Sequence, residues 1–174
     1  RLKEGKSMKK IGLLVLVLLV LQGCTSNSAA LYEEKVKLYK SYWSSILDQN
    51  KYQKSSSNFS IKAAIAPLET GGFEYTVILD NARVAMHDVE ILVLENDDAY
   101  HEDKMMPNSG ILNEGVYHLI PNQSRIDQEY QSGFRLVGKS DEEDLTLHIL
   151  VSWKNFSRNA SFKEYFEIKP SKAE

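Results

Sequence analysis

The spacing of apolar residues changes twice along the chain. From Ile11 to Leu21 every residue is uncharged, and most are Leu or Val. At 1.5 Å per residue these eleven positions span about half of a ~30 Å hydrocarbon core, too short for a transmembrane helix. Further on, Tyr32, Val36, Tyr39, Trp43 and Ile46 recur at a 4-3-4-3 spacing, joined by Leu31, Tyr42 and Leu47. Charged residues such as Glu33, Glu34, Lys37 and Lys40 take the other faces. This period predicts an amphipathic helix over residues 31–50, stopped by Asn50 and the run from Ser55 to Asn58. Its stripe is too large to stay wet and is expected to cover an edge or open face of the following domain. A coiled-coil seam is the sharper alternative, but the stripe spans fewer than three heptads and is aromatic.

From Phe59 the period falls to two. Ile61, Ala63 and Ile65 alternate up to Pro67, and Tyr75, Val77 and Leu79 alternate between the Gly71-Gly72 and Asp80-Asn81 turns. Val89, Ile91 and Val93 lie in a continuous apolar stretch, as a strand buried on both faces requires. A short strand is expected near Val116 to Ile120, another over Gly133 to Val137, and a last one carrying Phe162, Tyr165, Phe166 and Ile168. The cleanest alternation runs from Leu145 to Trp153, which should put Trp153 between two sheets. About seven strands with turns between them predict an immunoglobulin-like β-sandwich over residues 58–170, without the Cys–Trp–Cys pattern of antibody domains. Such a fold hosts many functions and selects none.

The N-terminus is more specific. Met8-Lys9-Lys10 supplies a positive region ahead of the apolar run, and Leu21-Gln22-Gly23-Cys24 follows it. This succession resembles the export signal and lipobox of bacterial lipoproteins, and the chain as a whole resembles the small, Lys- and Tyr-rich lipoproteins of low-GC Gram-positive bacteria. The resemblance implies cleavage before Cys24, a diacylglycerol on its thiol, and anchoring at the extracytoplasmic face of the cell membrane. Two acyl chains suffice for durable anchoring. Residues 1–23 are then a signal peptide, with 1–7 extraneous to it, and residues 24–30 (CTSNSAA) form a small, polar tether.

Composition adds exclusions. With one cysteine there is no internal disulfide and no four-cysteine zinc site. Residues 1–23 carry five basic side chains and one acid, so their removal takes the formal charge from −3 to −7. An acidic domain without a basic stripe argues against nucleic acid as a partner.

No catalytic constellation emerges. The histidines at 87, 101, 118 and 148 lack the i, i+4 spacing of a helical zinc site, and neither a nucleophile elbow nor a phosphate-cradling glycine loop is present. His148, among apolar neighbours in a strand, reads as a structural histidine. Four Asn-x-Ser sites, at Asn58, Asn122, Asn155 and Asn159, carry no weight beside a bacterial-type lipobox. Asp97, Asp98, His101, Glu102 and Asp103 crowd together, but their spacing is not that of a calcium loop, so a solvated acidic loop is the plainer reading. The twenty-odd residues from Asn96 to Val116 exceed what chain reversal needs and carry Tyr100, Met105 and Met106. These three are the candidate partner-binding residues, exposed on a loop at one end of the sandwich. The leading expectation is thus a lipid-anchored, non-enzymatic envelope protein with a binding domain and no cofactor or metal. The alternative is a metal-dependent or hydrolytic extracytoplasmic enzyme using His101 with Asp97, Asp98 or Asp103.

Overall fold

A computed structural model describes residues 26–96, 99–102, 104–113, 115–125 and 129–173. Cys24 and the signal segment lie outside them, as do Asp97, Asp98 and Asp103. The chain divides into two compact units, Arg1–Lys37 and Leu38–Glu174. Of the first, the structure describes the opening turns of helix α1 (Ser26–Leu47), where Leu31 and Tyr32 are exposed. Within the described residues the helix runs from Ser26, so the expected tether over 24–30 is helical from that residue on. Small polar composition did not break it because Ala29 and Ala30 are strong helix formers and neither Gly nor Pro intervenes.

The second unit is mainly β. Its eight-residue strands β1 (Ser60–Pro67) and β2 (Phe73–Asp80) pair antiparallel, with Gly71 and Gly72 at positive φ in the turn between them. They share a four-stranded sheet with β7 (Gly133–Ser140) and β10 (Ser171–Lys172), in the order β10-β1-β2-β7. A second sheet has the order β4-β3-β8-β9, from β3 (His87–Glu95), β4 (Asn108–Ser109), β8 (Leu147–Lys154) and β9 (Ser161–Ile168). A two-stranded parallel ribbon joins β5 (His118–Leu119) to β6 (Tyr130–Gln131). Among the described residues ten strands thus stand where about seven were expected. The three additions, β4, β6 and β10, are two residues each, too short to print a period on the sequence.

Both large sheets feed one core. Ile65, Tyr75, Val77, Leu79 and Leu136 from the first meet Ile91, Val93, Ile149, Val151 and Trp153 from the second. Each such side chain contributes roughly 1.5–3 kcal/mol when fully buried. The second sheet is also covered on its outer face. Tyr39, Tyr42, Trp43 and Ile46 of α1 form a separate core with Leu92, Leu94, Leu150, Met106 and Ile111. That double coverage explains why β3 and β8 are apolar on both faces and buried almost throughout.

The loop after β3 corrects one expectation. Met106 is not on an exposed loop tip. It is buried beneath α1, and its backbone N–H donates to the Tyr39 hydroxyl at 2.9 Å. Part of the segment pairs with the sheet as β4, and Met106 and Ile111 are covered within the domain, whereas Met105 stays exposed.

Candidate functional site

The first sequence-chosen residues separate from one another. Tyr100 is half-buried and sets its ring edge-on to Trp43 at 5.3 Å, with Lys40 Nζ 4.8 Å from its centroid. Met105 is exposed. His101 is exposed too, and the carboxylates Asp97, Asp98 and Asp103 that were to join it lie outside the described residues. Among the described residues, no three His, Cys, Asp or Glu side chains converge on a metal position. His148 is buried, with Nδ1 2.9 Å from the Asn96 carbonyl and its ring stacked on Tyr52.

A different cluster forms where β8 turns into β9. Asn155 organises that turn. Its N–H donates to the Ala160 carbonyl, its carbonyl accepts from Arg158, and its side-chain oxygen accepts from the Asn159 N–H. Held so, the turn projects Phe156, which is 77% exposed, and sets Arg158 at φ 56°. A β-bulge between His87 and Glu90 puts Asp88 at φ 50° alongside. The strand segment around β5 then runs antiparallel to Met86, with a hydrogen bond of 2.8 Å in each direction between Met86 and Leu119. This pairing brings His118 against His87, with ring centroids 4.8 Å apart.

Between the two buried imidazoles stands the Arg158 guanidinium. Its Nη2 is 3.3 Å from His87 Nδ1 and 3.2 Å from His118 Nε2. On the far side of His118, the Asp88 backbone N–H donates to Nδ1 at 3.1 Å. A neutral imidazole has one acceptor nitrogen, so His118 cannot accept from Arg158 and from Asp88 at once. The nearby Asp88 carboxylate is taken by Lys154 Nζ at 2.9 Å, and no described carboxylate lies within ion-pair distance of Arg158. Burial, then the charges of Arg158 and His118, hold His87 below the usual histidine range. Burial pushes Asp88 up, but Lys154, Arg158 and His118 outweigh it and leave the carboxyl below its ordinary value.

Beside this charge lies an apolar cavity of about 260 Å³, walled by Val84, Ala85, Trp153, Phe156 and Phe162. Trp153 is buried as expected and stacks on Phe162, while Val84, Phe156 and Phe162 are exposed. A second cleft, of about 390 Å³, is lined by Arg158, Lys154, Asp88, Glu90 and Tyr117. An exposed arginine thus lies next to uncovered aromatic surface, which offers polar and apolar contacts side by side. Sequence reading missed the cluster because its members are 71 and 40 positions apart and meet only through strand pairing. One signal was available: Phe156 stands in a turn otherwise built of Asn, Ser and Arg.

No helix among the described residues is long and apolar enough to cross a membrane. Comparison with known protein families, curated proteins and solved structures finds no match to the chain.

Proposed function

We propose that this chain is a lipoprotein anchored through Cys24 at the extracytoplasmic face of the cell membrane, and that its β domain is a non-catalytic binding module. Cys24 rests on the lipobox Leu21-Gln22-Gly23-Cys24 behind a charged and apolar leader. The domain is of immunoglobulin-like type: β1, β2 and β7 oppose β3, β8 and β9 in the order of the A-B-E and C-F-G strands, and the remaining strands are accessory. Its contact surface is the end carrying the β2–β3 connection and the β8–β9 turn. The observation that carries this reading is Phe156, 77% exposed on a self-bonded turn, next to an arginine with no described carboxylate partner.

Two experiments test it. Cys24→Ser should leave unprocessed precursor or release the protein from the membrane fraction; unchanged fractionation and migration would refute the anchor. Chemical cross-linking in intact cells should yield an adduct that Phe156→Ser abolishes and Met105→Ser preserves. Loss in both variants, or in neither, would refute the assignment of the surface.

A further inference from the structure

The donor geometry at this end says what kind of group it can hold. Arg158 uses Nη2 on the two imidazoles, and its Nη1 and Nε carry no hydrogen bond among the described residues. With Nδ1 accepting from Arg158, the neutral His87 ring places its proton on Nε2, which also has no described partner. Turned off the imidazoles, the guanidinium would offer Nε and Nη2 as a planar fork, with an imidazole N–H of His87 beside it, and this set matches a carboxylate, whose two oxygens accept in one plane. The apolar cavity lies within a side chain's length, since Phe156 on its wall is 6.2 Å from the His87 ring. A second arginine, Arg83, adjoins that wall. It is held by the carbonyls of Ser56 and Phe59 and has no described carboxylate within ion-pair distance. Glu164 accepts from the Asn58 amide on this wall at 2.8 Å, and its other oxygen is sealed from solvent.

We propose that the cavity and Arg158 together bind the carboxyl-terminal residue of a partner polypeptide, with its carboxylate on Arg158 and His87 and a large apolar side chain among Val84, Trp153, Phe156 and Phe162. This rests on the binding-module reading and supplies the ligand's chemistry. A carboxylate there also settles the conflict at His118. Once Arg158 turns toward the ligand, Nδ1 keeps the Asp88 N–H and Nε2 is free to carry the proton.

The full-length lipidated protein in detergent micelles allows a direct test, because its two tryptophans report from different cores. N-acetyl-L-phenylalanine should shift the Trp153 indole N–H resonance saturably and leave that of Trp43 in place. The uncharged amide of the same compound, and acetate, should each bind at least about tenfold more weakly, as should Arg158→Gln, from loss of a charge-assisted pair. Equal binding of acid and amide, or undiminished binding by a folded Arg158→Gln protein, would overturn the proposal. So would a better response to anionic phosphatidylglycerol vesicles than to the peptide mimic, which would make the surface a membrane contact. If the mimic fails while the cross-linked adduct still depends on Phe156, the ligand chemistry falls and the binding surface stands. If both fail, the module reading falls with it.

Discussion

The two ends of the β domain treat charge and apolar surface in opposite ways. At the end reached by the β1–β2 turn, the Glu95 carboxylate is buried but fully engaged: Tyr75 donates to one oxygen and Lys104 Nζ to the other, each at 3.0 Å. Gly138 makes this possible, because a Cβ there would lie 2.2 Å from the Tyr75 ring. The apolar residue of the nearby loop that could have been a liability, Met106, is sealed under α1. At the other end, an arginine rests on imidazoles that cannot both accept from it in their present pairing, and three large apolar side chains are open to solvent. The first end closes its buried charge within the chain and leaves Met105 exposed. The other keeps donors and apolar surface available, as a contact surface must before its partner arrives.

That contrast predicts a ranked set of responses. Trp153→Ala, in the shared core, should cost about 3–5 kcal/mol by urea unfolding, and Met106→Ser under the helix about 2–5 kcal/mol. A loss below 1 kcal/mol at Met106 would mean that the helix does not cover the sheet as described. Tyr75→Phe should cost about 1–3 kcal/mol, by leaving a buried carboxylate short of a partner. The acid limb of stability should come from the other end. His87 titrates below its unfolded value of 6.5, so on acidification the unfolded chain takes up the proton first, and stability falls as pH drops below about 6.5. Arg158→Gln removes one of the charges that depress His87 and should make that decline shallower between pH 7.5 and 5. Smallest of all, Phe156→Ser should change stability by no more than about 0.5 kcal/mol, as an exposed turn position does.

Period and composition made the scaffold legible. Two-residue alternation located β1, β2 and β8, and the unbroken apolar stretch around Ile91 correctly implied a strand covered on both faces. The helical stripe announced a covering layer, although only Tyr39, Tyr42, Trp43 and Ile46 are buried in it. What stayed hidden lacks any local signature. Two-residue strands leave no period, and Met106 reads the same in sequence whether a loop displays it or a helix buries it. The His87–Arg158–His118 cluster depends on a bulge, a bridge and a turn that bring distant positions together. Loop length directed attention to residues 96–116, whereas the open surface belongs to a six-residue turn whose only sequence mark is one exposed Phe.

The most direct test of the contrast between the ends places a photo-activatable residue at position 156 in one protein and at position 105 in another, both in the intact cell membrane. Both sites are exposed, Phe156 at 77% and Met105 at 53%, so neither is closed to a partner. The account predicts a discrete adduct from position 156, lost when Arg158→Gln is added, and only diffuse background from position 105. A discrete adduct from position 105 with background alone from position 156 would contradict it and return the contact surface to the loop after β3.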